Sequence, residues 1–179
     1  MVDLALLQSA SYIAGAIGVC VAAVYYVMNL RVTLETRRLG LLDSITTKIV
    51  NRDGFRDYFE LLRSEWSDYE DFERKYGSEN NVDGAGKRYA AWNSFNSVGA
   101  MLRKGILNAE DLHNTGVGGA APFLWGKYKP IIEEVRRRYM GDGFMRDFEY
   151  LAGAMVRVTK QKDPSFRFPE TLDRYVPDK

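Results

Sequence analysis

The chain has 179 residues, with 25 Lys and Arg against 24 Asp and Glu, and a single cysteine. The balanced charge excludes a dedicated nucleic-acid surface, which needs a marked basic excess. One cysteine excludes an intramolecular disulfide and a cysteine-based metal centre.

The first predicted element is a membrane span. Leu4 to Leu30 carries no charged residue and ends at Arg31. Ala10 to Leu30 supplies the roughly 20 residues a helix needs to cross a hydrocarbon core. A secretory leader opens on a basic region and closes on a small-residue cleavage site, whereas this chain opens Met-Val-Asp and runs from Tyr25-Tyr26 into Asn29-Leu30-Arg31. An anchor that is retained is therefore expected. No Lys or Arg precedes the span, while Arg31, Arg37, Arg38 and Lys48 follow it, so the N-terminus is expected outside and the rest of the chain in the cytoplasm. Tyr12 and Tyr25-Tyr26 suit the two interfaces. Ala14, Gly18 and Ala22, with Ser11 and Gly15 beside them, fall at a spacing of four and line one helix face. Such a ladder permits close packing against a second helix, either in another membrane protein or in a second copy of this chain.

Beyond the span the pattern is helical throughout, giving an expected organisation of span (1–30), helical cytoplasmic domain (31–160) and charged, Pro-containing tail (161–179). Leu34, Leu41, Leu42, Ile45 and Ile49 continue the span as an amphipathic helix to about Val50. Phe55, Tyr58, Phe59, Leu62 and Trp66 form the stripe of a second, capped by Asn51 or Asp53. Ser67 or Asp68 opens a short helix, Tyr69 to Tyr76, that Gly77 would close in a left-handed cap. The polar, Gly- and Asn-rich string Gly77–Gly86 predicts the longest loop of the domain. Ala91, Phe95, Val98 and Leu102 mark the next helix, ended by Arg103-Lys104-Gly105, and Asn108 caps a short one with Glu110 and Asp111 in its first turn. Gly116 to Ala121 reads as a break, with Pro122 in the first turn of a long helix striped by Tyr128, Ile131, Ile132, Val135 and Tyr139. Gly141 and Gly143 interrupt it, and Phe144, Phe148, Leu151, Met155 and Val158 carry the last helix. The tail, with Pro164, Pro169 and Pro177, is expected to lack a fold of its own. The fold class is all-α: a single N-terminal transmembrane helix continuing into a cytoplasmic helical bundle.

Chemistry-bearing motifs are sparse. Gly116-Val117-Gly118-Gly119-Ala120-Ala121 matches a GxGxxA string, but no strand precedes it, so it reads as a turn rather than a dinucleotide site. No GKS or GKT step, HExxH or GxSxG occurs. His113 stands alone beside Asp111 and Glu110, too few ligands to specify zinc, and reads as a helix-terminal histidine. Arg136-Arg137-Arg138 points in three directions about 100° apart, which favours pairing with Glu133 and Glu134 over one flat anion patch. Asp68-Tyr69-Glu70-Asp71-Phe72-Glu73 lacks the ligand periodicity of a calcium loop and reads as a solvated face. Trp66, Trp92 and Trp125 sit among apolar neighbours; core packing is the first reading and an exposed partner-binding anchor the second. No catalytic residue, cofactor or metal is implied.

The succession of the span, Phe59-Glu60-Leu61-Leu62 with Trp66-Ser67-Asp68-Tyr69-Glu70, the run from Phe95 to Leu107, Phe123-Leu124-Trp125 and Phe148-Glu149-Tyr150-Leu151 resembles a domain-of-unknown-function family of short prokaryotic proteins. The resemblance covers about Arg31 to Val158 and implies a membrane-anchored helical domain, with no established catalytic residue to carry over. The expected role is an accessory or interaction subunit without catalysis of its own, acting through span packing and the helical domain. A single-span sensor of a small ligand and an uncharacterised membrane-tethered enzyme stand as alternatives.

Overall fold

The computed structural model describes residues 4–49 and 51–168. Among these there are seven α-helices, one π-helical turn and no strand. The chain divides after Leu41 into two compact units.

The first unit is helical. It belongs to α1 (Leu4–Ile49), which holds no proline and in whose charge-free portion two polar side chains bond locally. Ser11 Oγ donates to the Leu7 carbonyl at 2.9 Å and Gln8 Nε2 to the Tyr12 hydroxyl at 3.2 Å. Such back-bonding removes the cost of carrying a polar group into an apolar surrounding.

The second unit starts with the last turns of α1, where Leu42, Ile45 and Ile49 pack on its core. Asn51 serves two helices: its Nδ2 donates to the Thr47 and Lys48 carbonyls, and its Oδ1 accepts from Gly54 N at 2.7 Å to cap α2 (Arg52–Arg63). Gly54 permits this tight corner, since a Cβ there would lie 2.6 Å from the Ile49 carbonyl oxygen. Leu61 is the buried residue of α2, while Phe59, expected on the inner stripe, is exposed, and Trp66 falls beyond the helix end. Asp68 caps α3 (Tyr69–Tyr76), as expected. Gly77 is not left-handed (φ −60°, ψ 152°); glycine is needed because a Cβ would meet the Glu73 carbonyl oxygen at 2.3 Å.

The expected long loop is short. Asn81 caps α4 (Val82–Arg103) by accepting from Gly84 N at 2.8 Å, so Gly84 and Gly86 are helical. A side chain at Gly84 would strike the Asn81 amide, so the cap that starts the helix requires a residue as small as glycine there. α4 ends as expected in a Schellman motif: Gly105 has φ +71°, its N–H donates to the Leu102 carbonyl, and the Ile106 N–H to that of Met101. Asn108 caps α5 (Ala109–His113).

α6 (Gly116–Val135) starts at the segment expected to be a break, with Thr115 as its cap and Pro122 and Pro130 inside it. Burial overrides propensity here: Val117, Ala121, Leu124, Trp125 and Ile132 are fully enclosed, and Gly118 lets the helix approach His113 Cα, which a Cβ would meet at 2.5 Å. The helix relaxes into a π-turn over Arg136–Met140, closed by the Gly141 N–H donating to the Arg136 carbonyl at 2.9 Å. α7 (Arg146–Lys162) starts later than Phe144 and has no cap of its own; Asn96 of α4 supplies one, its Oδ1 accepting from Asp147 N and Phe148 N at 3.1 and 3.0 Å. Arg103 grips Asp147 in the same corner.

The core lies between α4, α6 and α7, around Trp92, Trp125, Tyr128, Phe148, Leu151 and Met155. After α7, Asp163 Oδ1 accepts from Ser165 N, Lys160 donates to the Pro164 and Phe166 carbonyls, and the Phe168 ring meets Phe123 and Phe166. The rest of the predicted tail, including Pro169 and Pro177, lies outside the described residues.

Candidate functional site

α1 is long and apolar enough to cross a membrane. From Leu4 to Arg37 every described side chain is exposed, Ala14, Gly18, Ala22 and Cys20 among them. A Cβ built at Gly15 or Gly18 meets nothing within 4 Å, so this face presents bare backbone at the spacing that stacks residues along a helix. Tyr12, Tyr25 and Tyr26 are likewise exposed.

Two of the three tryptophans are withdrawn from any partner surface. Trp92 and Trp125 are 1% and 0% exposed, Trp125 packed edge-on to Phe148 and Trp92 to Tyr128. Trp66 is half-buried, set against Phe72 and Tyr128, with the Lys127 ammonium 4.5 Å from its ring centre. His113 Nε2 lies 3.2 Å from Thr159 Oγ1, while its buried Nδ1 has no hydrogen-bond partner. No group of three or more His, Cys, Asp or Glu side chains among the described residues could hold a metal. The three consecutive arginines separate as their angular spacing requires: Arg136 bonds Glu149 and the Phe144 carbonyl, Arg137 bonds Glu134, and Arg138 bridges Glu134 and Glu70.

The acidic segment is only partly a solvated face. Asp71 is buried, accepts from Ser67 N at 3.1 Å and Lys75 Nζ at 2.7 Å, and pairs with Arg74. The Lys75 hydrogen bond is the main cause that holds its carboxyl down to about 2.

The other buried charge is Arg88, on α4, which the sequence reading passed over. It is 3% exposed. Nη1 donates to the Tyr76 carbonyl at 2.7 Å, at the C-terminus of α3, and the guanidinium carbon lies 4.8, 5.3 and 5.6 Å from the ring centres of Phe72, Tyr89 and Trp92. Nε is buried with no hydrogen-bond partner, and among the described residues no carboxylate forms an ion pair with this side chain. Burial pushes its pKa down, and among the charged groups Glu73 favours the charged form through space. A signal existed in the sequence: Arg88 sits beside Tyr89 and four residues before Trp92, the spacing that brings a cation and a ring onto one helix face.

Arg88 lines a cavity of about 350 Å³ together with Arg63, Ser64, Tyr76, Lys87 and Tyr128. Lys87 is paired with Glu60 at 2.7 Å, and Tyr128 donates its hydroxyl to the Leu61 carbonyl at 3.1 Å. Burial raises the Tyr128 pKa, so the phenol stays neutral. A second cavity, of about 250 Å³, is mainly apolar and is lined by Phe55, Tyr58, Ala91 and Phe95, with Asp57 and Lys48 among its polar residues. Tyr58 there donates to the Ala120 carbonyl at 3.3 Å, and burial raises its pKa to about 12.

The domain of unknown function DUF4760 matches residues 13–155 of the chain. The protein belongs to that family. No curated protein and no solved structure matches it.

Proposed function

We propose that this DUF4760 protein is a membrane-anchored accessory or interaction subunit with no catalysis of its own, held by α1 and associating through the Ala14, Gly18 and Ala22 face with another membrane protein or a second copy of itself. The observation that carries the reading is the charge-free length of α1 from Leu4 to Leu30 with every described side chain exposed. An apolar helical surface of that length is stable in lipid, where all its backbone bonds are satisfied within the segment. Small residues then supply the close backbone approach that drives helices together in lipid, where no hydrophobic force does so. The excess of Arg31, Arg37, Arg38 and Lys48 after the span, with no Lys or Arg before it, supports an N-terminus outside and a helical domain in the cytoplasm.

The test is the composition of the assembly purified from its native membrane in mild detergent, with Gly18→Ile as the matched control. A stoichiometric partner, or a second copy, that is lost in the control supports association through this face. An unchanged assembly refutes it. A second reading, a single-span sensor, is favoured by one observation: the buried Arg88 guanidinium beside a polar cavity in the helical domain.

A further inference from the structure

We propose that the cavity beside Arg88 is a binding site for a small ligand carrying an oxyanion, a carboxylate or a phosphate, with Arg88 as its buried anchor and Arg63 as its rim cation. The inference gives the sensor reading its ligand class and is independent of what the span associates with.

A guanidinium withdrawn from water is normally paired with an anion. Arg88 is 3% exposed, and the groups around it do not complete that pairing. The Tyr76 carbonyl takes one hydrogen from Nη1, and three rings, those of Phe72, Tyr89 and Trp92, offer their faces. These neighbours carry dipoles and quadrupoles, not a negative charge. Nε keeps an unmet donor, and Glu73 acts on the cation only through space. Arginine's planar donors match carboxylate and phosphate oxygens better than any other partner.

The cavity completes the argument. It brings Arg63 and Arg88 together, while Lys87, the third cation of the lining, is committed to Glu60 at 2.7 Å and Asp57 at 3.9 Å. Its hydroxyls already donate within the protein, Ser64 to the Glu60 carbonyl, Tyr76 to that of Glu65 and Tyr128 to that of Leu61, so towards a ligand they offer acceptor oxygens only. Its volume, about 350 Å³, lies at the lower end of the range of ligand pockets, about 300–1,000 Å³, which limits the occupant to a small molecule.

The experiment melts the full-length protein in detergent, followed by tryptophan fluorescence, in sodium phosphate, sodium acetate and sodium chloride at equal ionic strength. Phosphate or acetate is expected to give a saturable rise in Tm of about 2–4 °C at a few times its Kd, with no such rise in chloride. Whichever of the two acts identifies the headgroup; a rise with neither, or the same rise with chloride, overturns the proposal. Arg88→Met is expected to abolish the rise, and its survival in that variant also overturns the proposal. Arg63→Gln alters an exposed rim residue, so it keeps the fold and decides the matter if Arg88→Met does not fold: an apparent affinity weakened about threefold or more supports the site, and an unchanged one refutes it. Gly18→Ile leaves the shift unchanged, so the span and the cavity fail or succeed separately.

Discussion

Replacing Gly99 by Ala inserts a methyl group where α4 meets the first turn of α7. A Cβ at Gly99 would lie 1.8 Å from the Asp147 carbonyl oxygen and 2.5 Å from its carbon, atoms of the backbone that cannot rotate away. The corner is also pinned, because Asn96 caps Asp147 and Phe148 while Arg103 holds the Asp147 carboxylate at 2.6 Å. Overpacking of this kind costs about 1–3 kcal/mol, and contact with fixed backbone puts Gly99 at the upper end, about 3 kcal/mol. Removing a glycine from a helix interior returns about 0.8–1 kcal/mol. The net loss is therefore about 2 kcal/mol, or a fall in Tm of about 4–8 °C for a domain of this size. Gly86→Ala in the same helix is the control: nothing lies within 4 Å of its Cβ, so it is expected to gain about 0.4–1 kcal/mol. Tryptophan fluorescence reads the unfolding of the second unit alone, since Trp66, Trp92 and Trp125 all lie within it. A Gly99→Ala protein that melts at or above the wild type would refute the reasoning.

Gly118→Ala is expected to lose about 1–3 kcal/mol in the same melt, because its Cβ would meet His113 Cα and O at 2.5 and 2.7 Å. Stability equal to the wild type would show that α5 and α6 can part without cost. Asp71→Asn tests the acid limb. The folded carboxyl titrates near 2, chiefly through its Lys75 hydrogen bond, below its ordinary 3.8. A depressed folded pKa means the ionised form favours the fold, so its contribution is full above about pH 4 and is lost as the pH falls through about 2. In denaturant unfolding at pH 5, 3 and 2, the gap between wild type and Asp71→Asn is expected to close with acid; a constant gap would refute the pairing.

Helix ends set by local chemistry were legible. Asn51, Asp68 and Asn108 cap because a side-chain oxygen reaches an N–H two or three residues ahead, and Gly105 closes α4 because only the left-handed region completes that turn. Glycines demanded by close approach misled. Gly84 and Gly118 look like loop signals, yet they sit in helices because a neighbour comes too close for a Cβ. Gly77 was read as a left-handed cap for the same reason: composition records that a side chain is absent, not whether backbone rotation or close approach demands it. The inner face of α2 was misjudged because Phe59 is more apolar than its position is buried, while Leu61 meets the core.

The two buried charges show why the candidate site escaped the sequence. Asp71 lies in a run of acidic residues that reads as solvated, but its partners come from within four residues: Ser67 N, Arg74 and Lys75. Its charge is thus settled by opposite charge and a backbone donor close in sequence. Arg88 has neither. Its ring faces come from α3 and α4 and its one carbonyl from the end of α3, and the cavity beside it draws on α2 and α6 as well, so no window of sequence contains the site. Had its role been only to pin α3 to α4, a neutral donor to the Tyr76 carbonyl would have served without the cost of desolvating a cation. A cation retained next to a polar cavity, with no carboxylate paired to it, is the arrangement that an anion in that space would complete.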